Sequence, residues 1–125
     1  MEESNSALET EKATLEEQIR KLEAKIQDLY LGLGYTRDAL DYQRKKMYEY
    51  ECDGVDSSEP CVWGTKMKIS HYEEDMHSME SRIRENNREL NSCKERLKDI
   101  EVRIADSAVQ GMSGMIDCAI PHPAS

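Results

Sequence analysis

Phenylalanine is absent from the 125-residue chain, tryptophan occurs once, proline three times and glycine six times. So few large aromatic side chains leave little to fill a compact enzyme core, and so little proline and glycine argues against a low-complexity disordered chain. No apolar run approaches the roughly 18 consecutive residues that a membrane span requires. The opening stretch, Met1 to Ser6, lacks the basic start and apolar run of a secretion signal. The composition therefore predicts an intracellular, cytoplasmic protein without membrane insertion, and is compatible with assembly in a virion or organelle.

Catalytic signatures are missing as well. The chain holds no G-x-S-x-G elbow, no Walker phosphate loop and no H-E-x-x-H pair. No catalytic, cofactor-binding or metal-binding residues are expected, and the chain reads as a non-enzyme.

Charge, by contrast, is plentiful: 34% of residues are charged and the net charge is −9. That sign repels nucleic acid and anionic membrane surfaces, leaving proteins as the expected partners. The run Arg44, Lys45, Lys46 is flanked by acids and reads as a solvated helix face rather than a phosphate-binding patch. Residues 51–64 carry Glu51, Asp53, Asp56 and Glu59 and no base, an acidic spot suited to a basic protein surface.

A seven-residue rhythm organises most of the chain. Leu8, Leu15, Leu22 and Leu29 recur at d positions, and Ile19, Ile26, Leu33, Leu40 and Met47 at a positions, with Lys12, Thr36 and Gln43 as polar exceptions. Ser6 to Glu9 has the form of a capping box. A second register places Ile69, Met76, Ile83, Leu90, Leu97 and Ile104 at a, and Tyr72, Met79, Asn86, Cys93 and Ile100 at d. Thr65 or the box Ser70 to Glu73 could cap this segment, and Gly111 and Gly114 punctuate its end. Between the two lies a stretch rich in Gly, Pro, Asp and Ser. The predicted organisation is helix 6–50, loop 51–64, helix 65–110 and an apolar tail 111–125.

Two helices joined by one loop predict an all-α antiparallel coiled-coil hairpin, in which each layer opposes an a residue to a d residue. The preferred pairing sets Leu29 against Leu90, Leu22 against Leu97, Leu15 against Ile104 and Leu40 against Met79, with the turn between Glu59 and Pro60. A pairing one heptad shorter moves the turn toward Asp56 and opposes Ile26 to Asn86. The rival topology is a parallel dimerisation module, since Ile at a with Leu at d favours two parallel strands. Closing a short loop costs little next to bimolecular association, which favours the hairpin.

Gly32 and Gly34 interrupt the first helix locally without changing its phase. They would either free carbonyls for the Asn86 and Asn87 amides or make room for a neighbouring helix. Off the seam, Leu31, Tyr35 and Tyr42 line a second face of the first helix, and Val102, Ala105 and Val109 another on the second. A two-helix hairpin cannot bury both, which predicts self-association or packing in a larger assembly. Met115, Ile116 and Ile120 in the tail are further candidate anchors for a partner.

The cysteines offer an alternative. Cys52 and Cys61 could close a disulfide staple across the loop or remain free thiols, while Cys93 reads as a small seam residue. With His71 and His77 the loop cysteines supply four zinc-type ligands, though without the tight Cys-x2-Cys spacing of common zinc sites. Function is accordingly expected to be structural or scaffolding, with a thiol-switch or metal-binding loop module as the alternative.

Overall fold

The computed structural model describes the backbone of residues 5–119 and the side chains of residues 5–109. Two helices make up the described chain: α1 spans Asn5–Cys52 and α2 spans Pro60–Ala119. They form the expected all-α helical hairpin. The seam of α1 is thereby occupied by α2 of the same chain, the position that a parallel partner would need.

The helix ends differ from those read off composition. α1 already includes Asn5, the first described residue, so Ser6 lies inside the helix rather than at a capping position, and its carbonyl accepts the Thr10 hydroxyl at 2.9 Å. At the other end Val55 N–H donates to the Tyr50 carbonyl at 2.9 Å and Gly54 N–H to the Glu51 carbonyl at 3.2 Å. These two bonds, with Gly54 at φ +68°, make a Schellman stop, which needs a residue without a Cβ penalty at that position.

α2 starts five residues earlier than expected. Pro60 takes the first helical position, where its missing N–H is no loss, and Glu59 accepts N–H bonds from Val62 at 3.1 Å and Trp63 at 3.0 Å. Thr65 and Ser70 are thus interior residues, and the Thr65 hydroxyl donates back to the Cys61 carbonyl at 2.8 Å. The loop shrinks to residues 53–59. α2 also passes through Gly111 and Gly114 to Ala119, since glycine weakens a helix without forbidding it.

The described residues divide into two units, one of residues up to 22 with those from 89 onward, and one of residues 23–88. In the first, Leu8, Leu15 and Ile100 form a buried cluster packed by Cys93, Leu97 and Ile104. Leu8 could not share a cluster with Ile100 in the preferred pairing. The Cys93 thiol also lies 3.9 Å from Gln18 Oε1. In the second unit, a Cβ added at Gly32 would sit 3.5 Å from Met79 Sδ. Both units therefore follow the shorter pairing: Leu15 lies level with Leu97, Leu22 with Leu90 and Ile26 with Asn86. The turn centres on Asp56, as the ends at Cys52 and Pro60 require. Asn86 is tolerated opposite buried Ile26 because it stays half-exposed.

Candidate interaction surfaces

The seam absorbs the residues assigned to it. Leu15, Leu22, Ile26, Leu33, Leu40, Ile83, Leu90 and Ile100 are buried, and Ile19, Leu29, Met76, Met79, Cys93, Leu97 and Ile104 are half-buried. It also takes in Thr65, expected only as a helix cap, and Val62, which extends the a and d spacing back from Ile69 into the stretch assigned to the loop. Continuing the three-four spacing back through Gly64 and Trp63 would have found Val62. Gln43 is buried at a d position with its Oε1 unpartnered.

The outward faces remain open. Leu31 is 56% exposed, Tyr35 73% and Tyr42 57%, and Val102, Ala105 and Val109 are exposed on α2. Gly34 lies among the first three with nothing within 4 Å of a Cβ built there. Gly32 contacts Met79 instead, so the two glycines have different surroundings. Met115 and Ile116 belong to the α2 backbone, but their side chains, like all of Ile120, lie outside the described residues.

The loop holds its shape by local hydrogen bonds. Asp56 Oδ1 accepts the Ser58 N–H at 2.9 Å and the Ser58 hydroxyl at 3.0 Å, and Glu59 N–H donates to the Asp56 carbonyl at 3.0 Å. The Ser58 backbone N–H, and then its hydroxyl, hold the Asp56 carboxyl below its ordinary value of 3.8. Cys52 ends α1 and Cys61 is the second residue of α2, and both thiols are free and exposed, so the candidate staple between them is not formed. Among the described residues, no group of three or more His, Cys, Asp or Glu side chains is placed to hold a metal ion, His71 and His77 included.

Grooves beside the seam are open and mixed in character. One of about 350 Å³ is bordered by Leu40 and Met76 together with Arg37, Arg44, Glu73 and Glu80. Among the described residues no helix is long and apolar enough to cross a membrane. Comparison with protein-family models, curated proteins and solved structures returns no match to this chain.

Proposed function

We propose that this chain is a non-enzymatic structural protein, a scaffolding hairpin that binds further copies of itself or neighbouring subunits through its outer helix faces. The exposure of Leu31, Tyr35 and Tyr42 carries the reading. A partner covering them would remove apolar surface from water, worth about 25 cal/mol per Å² buried, and the seam is already filled by α2. Grooves lined by Arg37, Arg44, Glu73 and Glu80 suit surface contact better than enclosure of a substrate.

Sedimentation of the wild-type chain and of a Leu31→Asp, Tyr35→Asp double variant tests this reading. A wild-type oligomer that the variant dissolves, with helicity unchanged by circular dichroism, supports it. An oligomer indifferent to both substitutions counts against this face.

The exposure of Cys52 and Cys61 favours a second reading, a thiol-switch module displayed by the helices. Intact mass with and without reductant, combined with the Cys52→Ser, Cys61→Ser variant, separates the two. A reducible bond that alters partner binding promotes the switch, and unchanged binding by the double variant removes it.

A further inference from the structure

The register brings together two basic segments that are distant in sequence. With the turn at Asp56, Arg44 to Lys46 on α1 lie level with Lys66 and Lys68 on α2. In the expected longer pairing, the whole run would have lain level with Glu73, Glu74 and Asp75; in the structure Arg44 borders a groove with Asp41 and Glu73, while Lys45, Lys46, Lys66 and Lys68 do not line it. The stretches 42–48 and 60–72 instead hold five bases and no acid, a cationic collar on a chain of net charge −9.

Arg44 and Lys66 occupy e positions and Lys46 and Lys68 occupy g positions, where opposite charges would ordinarily support a coiled coil. Here like charges flank the seam, at a cost to the isolated hairpin. Among the described residues no ion pair engages any of the five. The Lys46 ammonium lies 5.2 Å from the centre of the Tyr42 ring.

The adjoining tip, residues 49–59, is the inverse: Glu49, Glu51, Asp53, Asp56 and Glu59 give five acids and no base. Collar and tip centres are separated by about ten residues of helix, on the order of 15 Å. Two adjacent bands of equal and opposite charge are complementary to themselves under a twofold rotation, which sets each tip on the other molecule's collar. A phosphate polymer or an anionic bilayer reaching the collar would meet the acidic tip beside it, so those partners fit less well. Apolar surface is also present: Trp63 is 61% exposed, Met67 53% and Tyr48 67%.

We infer that the loop ends of two copies dock head to head, the acidic tip 49–59 of each against the basic collar of the other, covering Trp63 and Met67. The inference rests on the scaffold reading and names its partner, a second copy of this chain.

The test uses the full chain in sedimentation at 50 and 500 mM salt, where screening should weaken association by about tenfold or more. Two charge-reversed variants follow, K45E/K46E/K66E/K68E for the collar and E49K/E51K/D53K/E59K for the tip. Each alone should lose the salt-sensitive tip-to-collar association, and an equimolar mixture should recover it with one-to-one stoichiometry, which unfolded chains could not do. A thiol-to-amine cross-linker on mixed isotope-labelled and unlabelled wild-type chains gives a readout free of substitutions. It should join Cys52 or Cys61 of one copy to a collar lysine of the other.

Association that ignores both salt and charge reversal overturns the docking while leaving the scaffold reading to the Leu31 and Tyr35 face. A wild-type chain monomeric at low salt overturns the docking and self-association together. Stable binding of the collar to phosphatidylserine vesicles or RNA, without interchain cross-links, overturns it in favour of a phosphate ligand.

Discussion

Arg96 of α2 reaches Glu11 of α1 with two donors, Nη2 at 2.7 Å and Nε at 3.0 Å from the same carboxylate oxygen. The pair is largely solvated, so its energetic contribution is small, but its geometry requires the shorter pairing. With native cysteines replaced by serine, spin labels at the exposed positions Lys21 and Asn91 should lie closer together than labels at Lys21 and Lys98. One heptad of axial offset, about 10 Å, separates the two cases. A shorter distance for the Lys21 and Lys98 pair would restore the longer register.

What could be read without coordinates divides along physical lines. The three-four spacing of Leu15, Ile19, Leu22 and Ile26 is a direct consequence of helical geometry, and it located the seam. Register is a different problem, because sliding one helix by a heptad again opposes a to d. Leu22 meets Leu97 in one case and Leu90 in the other, so apolarity cannot choose. The choice falls to the loop, where Gly54 acts as a helix stop and Pro60 as a helix start. Density of turn-forming residues had blurred both roles into one long segment. The basic collar was illegible for the same reason, since it exists only once the register is known.

Gln43 is buried with an oxygen that accepts no hydrogen bond, inside a seam otherwise mostly apolar. Leaving such a group unpaired costs about 1–3 kcal/mol, so Gln43→Leu should raise hairpin stability by an amount of that order. Chemical denaturation followed by circular dichroism measures it. A destabilised variant would mean that the amide has a partner in solution, such as a trapped water or a second chain.

Gly54 and Gly34 should respond in opposite directions to alanine. Gly54 has a positive φ, so Gly54→Ala strains the Schellman stop and should lower stability by about 1 kcal/mol. Gly34 sits mid-helix with open space around it, so Gly34→Ala should raise stability by up to about 1 kcal/mol. Thermal melts of the two variants check both signs. If another helix packs closely on the Leu31 and Tyr35 face, Gly34→Ala should also weaken self-association while stabilising the hairpin. Sedimentation of that variant tells whether the glycine serves close approach.

Asp56 links the loop to pH. Its carboxyl is held below 3.8 by the Ser58 N–H and hydroxyl, so folding favours the ionised form. A lowered folded value contributes stability that is fully present above the unfolded value near 3.8. That contribution is lost as pH falls through the lower folded value. Carbon-detected NMR titration should give an Asp56 midpoint below 3.8, and Ser58 amide exchange should accelerate as the carboxylate takes up its proton. Asp56→Ala should show the faster Ser58 exchange without its dependence on this titration, because the acceptor is gone at every pH. A midpoint at or above 3.8 would mean that the turn does not hold the charge in solution.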